Sequence, residues 1–140
     1  RVDDKRGASL KVIGLDAREY TWNPKTGGGK RSKLHQKAKT ILDSCFPHDR
    51  ILEEVTLPGT KTIRSKCLRA DFYIPNRNLI VEVHGEQHFR FNAYHFDSKL
   101  AFFKAQARDR SKAEWCKLNE IRLIQLNYNE DEDEWRRKIK

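Results

Sequence analysis

Residues that can bind a metal ion or transfer a proton stand at the ends of two neighbouring apolar segments. The stretch ADFYIPNRNLIVEVHGEQHF (residues 70–89) begins with Asp71, carries Glu82 and His84 near the end of its second apolar run, and places His88 four residues later. Mg²⁺ prefers oxygen ligands, and such an ion polarises a phosphoryl group and lowers the pKa of a water molecule. Histidine transfers protons near neutral pH. This set suits phosphodiester hydrolysis.

The two apolar runs predict a pair of strands that would bring these side chains together. Residues 68–74 and 79–84 have the composition of strands, and IPNRN between them is typical of a turn. In an antiparallel hairpin the start of the first strand lies beside the end of the second, so Asp71, Glu82 and His84 converge. A carboxylate inside a nearly continuous apolar strand needs a partner, and a metal ion is one. The alternative is structural: a capping aspartate and a packed histidine.

The remaining pattern predicts an α/β fold with a mixed central sheet of about four strands flanked by helices. A strand, long helix and strand in succession require a crossover connection, so the last two strands should be parallel. The other expected elements are a helix capped by Ser32 and reaching about Ser44, a strand within residues 50–57, a helix over 96–118, a strand over 121–128, and either a helix or a solvated tail at 129–140. On the long helix, the side chains expected on or near one apolar face are Phe96, Leu100, Phe103, Ala107 and Trp115.

Residues 1–30 differ from the rest of the chain, and we interpret them as an N-terminal arm or linker before one domain at 31–140. LKVIGL is compatible with a short strand, whereas EYTWNPKTGGGK is rich in turn residues. The three glycines lack the spacing of a Walker loop. Lys30 and Arg31 beside them form a candidate phosphate-contacting patch, with a solvated linker as the alternative.

The charge balance favours a polyanionic partner, and nucleic acid is the commonest one. Lys and Arg number 29 and Asp and Glu number 20, which gives a formal charge of +9. No apolar run approaches the roughly 18 residues that cross a bilayer, and no signal peptide is visible, so we expect a cytoplasmic protein without a membrane partner. The first residue is Arg1, not Met, so we expect a fragment or processed product, with a further domain or a second subunit as candidate partners.

Further basic residues on either side of the apolar pair are candidates for contacts with a phosphate backbone. Such contacts supply affinity and register but do not read sequence. They are Lys61, Arg64, Lys66 and Arg69 before the first strand and Arg90 after the second. The aromatic and basic residues 90–96 suit stacking on an unpaired base, or else packing as a lid on the long helix.

The stretch 70–89, followed by ARDRSKAEWCKLNEIRLIQL (107–126), resembles the PD-(D/E)XK nuclease superfamily. More narrowly, it is similar to the EDxHD branch of very-short-patch-repair mismatch endonucleases and phage homing endonucleases. The resemblance covers residues 32–128. It implies a restriction-endonuclease-like core, DNA as the substrate, Mg²⁺ or Mn²⁺ as the cofactor, and a bacterial or phage-infected cell as the setting.

The resemblance also implies roles for individual residues. Asp71 corresponds to the metal-binding aspartate of the motif, and the backbone carbonyl of Val83 would be a further ligand. His88 corresponds to the motif histidine, although His84 is close enough to exchange roles with it. Asp109, in RDR, corresponds to the final aspartate, which lies near the histidine and orients it; a surface charge on a helix is the alternative.

Two departures from the pattern bear on the function. His35 stands where the family has a first-helix glutamate, so it is a candidate for binding metal or phosphate. The zinc ligands of the mismatch endonucleases are not evident, which favours the phage and mobile-element nucleases. Glu82 also permits a second arrangement, in which Asp71 and Glu82 hold the metal and His84 takes the position of the superfamily's lysine.

We therefore expect a metal-dependent DNA endonuclease of the homing type. Two alternatives stay open. One is a structure-specific or exonucleolytic DNA nuclease. The other is a non-catalytic nucleic-acid-binding module with a degenerate nuclease fold.

Overall fold

The fold is built around a four-stranded mixed sheet, in a computed structural model that describes residues 9–61, 66–86 and 99–140. The strands and α-helices of these residues are β1 (Leu10–Ile13), β2 (Glu19–Trp22), α1 (Lys33–Cys45), β3 (Leu52–Thr56), β4 (Arg69–Ile74), β5 (Leu79–His84), α2 (Lys99–Leu118), β6 (Arg122–Asn127) and α3 (Glu132–Ile139). The predicted α/β class is confirmed.

The order of the main sheet is β3-β4-β5-β6. Both β3–β4 and β4–β5 are antiparallel, whereas β5 and β6 are parallel, with α2 as the crossover between them. The parallel pair is as predicted, because a long helix leaves enough chain to return to the same end of the sheet. The tight connection between β4 and β5 is a 3-10 turn at Pro75–Arg77, closed by Asn78 in the left-handed region (φ 51°). Asparagine adopts that conformation more readily than most residues.

Side chains on the two faces of the sheet enter two apolar clusters. Tyr73 and Ile80 pack with Trp115 of α2. Phe72 and Val81, which point to the opposite face, pack with helices α1 and α3. Helices therefore cover both faces, and the two central strands are buried along most of their length.

The first helix is specified locally and carries one side chain toward the sheet. Ser32 accepts a hydrogen bond from the backbone N–H of His35, which satisfies one of the free donors at the N-terminus of α1. His35 is buried, and its ring stacks on Phe72 with a centroid distance of 4.3 Å. The cap therefore fixes where this histidine meets the sheet.

Residues 10–22 correct the interpretation of residues 1–30 as an arm or linker. β1 and β2 pair as an antiparallel hairpin. Leu10, Val12 and Trp22 of this hairpin are buried in the same cluster as Tyr73 and Trp115. A hairpin bound by its own apolar face is part of the core and not a linker.

The predicted apolar face of α2 is wrong at two of its positions, although Trp115 is buried as predicted and Phe96 lies outside the described residues. On α2, Leu100 and Phe103 are 62% and 56% exposed, while Phe102 is buried. Of the two alternatives for residues 129–140, the structure shows the helix, because α3 buries Trp135 and Ile139 against α1 and β6. None of the helices within the described residues is long and apolar enough to cross a membrane.

Candidate active site

The strands β4 and β5 separate at the end opposite their turn, and two carboxylates occupy the gap. Regular pairing runs from Ile74↔Leu79 to Phe72↔Val81. Beyond it, the backbone N–H of Asp71 donates to Glu82 Oε2 at 2.8 Å, and the N–H of Val83 donates to Asp71 Oδ2 at 2.8 Å. Side-chain oxygens thus replace the backbone acceptors of the ladder. The structure brings Asp71, Glu82 and Val83 together.

A lysine from α2 joins this pair, and it was missed by the sequence interpretation. Lys112 Nζ lies 2.9 Å from Glu82 Oε1, and the two side chains are only 16% and 3% exposed. A signal was present in the sequence: Lys112 stands one turn before the buried Trp115 and Cys116, on the inward face of the helix. A lysine on such a face indicates a buried ionic partner.

The charges of this group are unbalanced. Burial, followed by repulsion from Glu82, raises the pKa of Asp71 to about 8, although Lys112 offsets part of the effect. Burial opposes the charge on Lys112, but attraction by Glu82 and Asp71 outweighs it and raises the lysine's pKa. Two carboxylates therefore share one ammonium group, and an additional cation would be favourable here.

His84 and Asp109 extend the site along β5 and α2. Ligand atoms of Glu82, His84 and Asp109 all lie within 4.8 Å of one another. His84 is buried at the end of β5, and Asp109 stands one turn before Lys112 on α2. The structure thus brings Asp109 to a histidine; His88 lies outside the described residues.

A second group lies on the other side of Asp71. Ligand atoms of His35, Glu54 and Asp71 also lie within 4.8 Å of one another. Glu54 stands opposite Asp71, because its neighbours pair as Glu53↔Phe72 and Val55↔Ala70. Its backbone is in the left-handed region (φ 52°), which is unfavourable for a residue with a long side chain. Such strain is common at functional sites.

The ring of His35 lies between the carboxylates of two consecutive residues of β3. Its Nε2 is 2.9 Å from Glu53 Oε1, and its Nδ1 is 3.7 Å from Glu54 Oε2. Arg31 Nε also contacts Glu53 Oε1, at 3.0 Å. Burial opposes the charge of Glu53, but the hydrogen bonds from His35 and Arg31 outweigh it and hold the pKa of Glu53 below its ordinary value.

The three consecutive glycines pack beside this second group. The N–H of Gly27 donates to the backbone oxygen of Glu53 at 2.9 Å, and a Cβ on Gly27 would collide with the backbone of Glu54. Arg31 donates to the carbonyl oxygens of Gly27 and Gly29, and Arg69 donates to that of Gly28. These two arginines therefore hold the glycine loop against β3.

Three of the remaining basic candidates have side chains available to solvent. Lys30, Lys61 and Lys66 are exposed to solvent. Arg64 and Arg90 lie outside the described residues.

Comparisons with known proteins give relatives in two viruses. No protein-family model matches the chain, and no solved structure matches it. Uncharacterized protein 307L of Invertebrate iridescent virus 6 is 38% identical over 61 residues, which are 44% of this chain and 31% of that protein. Uncharacterized protein 033L of Invertebrate iridescent virus 3 is 36% identical over 141 aligned residues, covering 91% of this chain and 69% of that protein. The chain therefore belongs to the same family as protein 033L of Invertebrate iridescent virus 3.

Proposed function

We propose that this chain is a metal-dependent nuclease that cuts DNA phosphodiester bonds internally. The observation that carries the proposal is the meeting of Asp71 and Glu82 at the open end of β4 and β5, with Lys112 bound to Glu82 at 2.9 Å. His84 and Asp109 adjoin the same carboxylate. Two acids, a lysine and a histidine at one sheet end supply the groups that phosphodiester hydrolysis requires.

The donor set fits a hard divalent cation. Asp71 and Glu82 offer carboxylate oxygens, and the carbonyl of Val83 is a further candidate ligand. Burial, followed by repulsion from Glu82, raises the pKa of Asp71, and Lys112 offsets only part of this effect. These residues would hold Mg²⁺ or Mn²⁺, which when bound polarises the phosphoryl group and acidifies a water.

Other side chains of the protein would bind the phosphate oxygens and transfer the proton. Because the pKa of Lys112 is raised, its amine stays protonated at neutral pH; it acts as a hydrogen-bond donor to phosphate oxygens and not as a base. His84 is the candidate for proton transfer, a role that histidine often fills, and Asp109 is close enough to orient its ring. His88 remains a candidate for the same role.

DNA binding would rest on the positive charge outside the acidic site. The formal charge of the chain is +9, although its candidate site gathers several carboxylates. Lys30, Lys61 and Lys66 are exposed and free to approach phosphates, whereas Arg31 and Arg69 also hold the glycine loop. Contacts of this kind give affinity that falls with salt.

Cleavage of supercoiled plasmid tests the proposal. The reactions contain Mg²⁺ or Mn²⁺, or EDTA, and compare the native chain with Asp71→Asn. Asp43→Asn is the matched control, because Asp43 is an exposed aspartate on α1 paired only with Lys39 at 2.9 Å among the contacts described. We expect nicked or linear DNA from the native chain and from Asp43→Asn, and intact plasmid from Asp71→Asn and in EDTA.

Two results would contradict the proposal in different ways. Intact plasmid with either metal, together with a gel shift that survives EDTA, would indicate a non-catalytic nucleic-acid-binding module. Metal-dependent cleavage that Asp71→Asn leaves unchanged would place the activity elsewhere than at the open end of β4 and β5.

A further inference from the structure

We propose that His35, Glu54 and Asp71 form a second cation site, in which Nδ1 of His35 is a ligand and Mn²⁺ is preferred to Mg²⁺. Ligand atoms of these three residues lie within 4.8 Å of one another. The site shares only Asp71 with the ligands of the proposed nuclease centre. It is a binding property, and it does not require that the chain cleave DNA.

The hydrogen bonding of His35 determines which ring nitrogen is available. Glu53 Oε1 accepts a hydrogen bond from Arg31 Nε at 3.0 Å, so the same oxygen faces His35 Nε2, 2.9 Å away, as an acceptor, and Nε2 is the donor. A neutral imidazole then carries a lone pair on Nδ1. That nitrogen faces Glu54 Oε2 at 3.7 Å, a separation longer than a hydrogen bond. Two acceptors facing each other are stabilised by a cation between them.

The surroundings hold this geometry in place. His35 is buried, its helix is capped by Ser32, and its ring stacks on Phe72 at 4.3 Å. Glu54 keeps an unfavourable left-handed backbone (φ 52°), which places it directly opposite Asp71. The strained backbone of Glu54 thus brings a third potential ligand to the point where His35 and Asp71 meet.

Glu53 plays the part of a positioning residue. Metal-binding histidines usually donate their second ring N–H to a carboxylate, which fixes the tautomer and orients the ring. Glu53 accepts from His35 Nε2 and is itself held by Arg31 at 3.0 Å. Hydrogen bonds from Arg31 to Glu53 and between Glu53 and His35 therefore connect the glycine loop to the proposed cation.

The ligand atoms of this site favour one divalent cation over another. Carboxylates suit Mg²⁺, Ca²⁺ and Mn²⁺, whereas imidazole is a better ligand for transition metals than for Mg²⁺. One nitrogen with two carboxylates thus favours Mn²⁺ over Mg²⁺. Mn²⁺ is also the useful probe, because its electron spin senses a directly bonded nitrogen.

The experiment is pulsed electron paramagnetic resonance on the chelator-treated chain titrated with Mn²⁺ alone, without DNA. We expect ¹⁴N modulation from a bound imidazole in the native chain, its loss in His35→Gln, and its persistence in His84→Gln. Glu53→Gln should weaken Mn²⁺ binding by about tenfold or more, the usual effect of losing the carboxylate behind a metal-binding histidine. His35→Gln should also reduce the ratio of the affinity for Mn²⁺ to the affinity for Mg²⁺.

Three results would overturn the inference. These are ¹⁴N modulation that survives His35→Gln, modulation that vanishes in His84→Gln instead, and the absence of Mn²⁺ binding. If His35→Gln does not fold, Glu54→Gln serves in its place, because Glu54 is partly exposed and lies outside the two apolar clusters. That variant must then lose affinity for Mn²⁺. A chain that shows His35-dependent modulation but cuts no DNA would refute the nuclease and leave this site intact.

Discussion

The two ends of the β4–β5 pair are built from the same two strands but on opposite principles. At the turn end, Ile74 and Leu79 pair regularly and are buried among apolar side chains. At the other end, Asp71 and Glu82 take over the hydrogen bonds of the ladder, and Lys112 completes the group. The turn end stabilises the fold through the burial of apolar side chains. The carboxylate end holds charged groups away from water, which costs free energy.

The contrast between the two ends points to the carboxylate end as the place where functional residues are expected. Buried carboxylates with a single ammonium partner contribute little to the free energy of unfolding. Removing that partner lowers the free energy of unfolding strongly. A sheet end retained in that state indicates a use other than folding. Substitutions at the two ends should therefore affect stability and cation binding differently.

The largest effect on stability is expected from removing Lys112. Lys112→Met leaves Glu82 as an uncompensated buried charge, which should lower the free energy of unfolding in EDTA by about 3–5 kcal/mol. Saturating Mg²⁺ or Mn²⁺ should restore part of the loss, because a cation replaces the missing ammonium group. Denaturant titrations with and without metal measure both quantities.

The matched control for that variant is Lys117→Met, on the exposed face of the same helix. It should change the free energy of unfolding by less than about 0.5 kcal/mol, as surface substitutions usually do. Equal losses in the two variants would mean that the contact between Lys112 and Glu82 has no special role.

At the turn end, Leu79→Ala should lower the free energy of unfolding by roughly 2–5 kcal/mol, through lost burial and the cavity left behind. Leu79 is almost fully buried and lies at the opposite end from the carboxylates. Mn²⁺ affinity, measured by calorimetry at a temperature where the variant is folded, should not change. A parallel loss of metal affinity would show that the two ends are coupled.

The last effect is a pH dependence carried by Asp71. Its folded-state pKa is raised to about 8, so between the unfolded value near about 4 and pH 8 the folded chain holds a proton that the unfolded chain has released. The stability from this group is thus complete below the unfolded pKa and is lost as the pH rises through the folded one. Asp71→Asn does not titrate.

In EDTA, the stability of Asp71→Asn relative to the native chain should therefore increase from pH 5 to about pH 8, by at most about 1.4 kcal/mol per pH unit, and then level off. Urea titrations at several pH values measure the difference. A difference that is flat across this range would mean that Asp71 is ionised throughout, and the charge imbalance inferred for the open end would be wrong.

Much of the architecture followed from short-range signals in the sequence. The cap at Ser32, the turn at Pro75–Arg77 and the apolar runs of β4 and β5 each reside in a few consecutive residues. The convergence of Asp71 and Glu82 also followed, because a tight hairpin leaves only one way to align two short strands. These parts were predictable since local geometry alone determines them.

The tertiary structure decided the rest. It placed the β1–β2 hairpin in the core, turned α2 so that Lys112 and not Leu100 points inward, and brought Glu53 and Glu54 to either side of His35. Each of these contacts joins residues from separate elements, so it depends on how the helices and the hairpin dock against the sheet. Local sequence patterns specified most of the elements and the meeting of Asp71 and Glu82, whereas the packing between elements determined which charges surround those two acids.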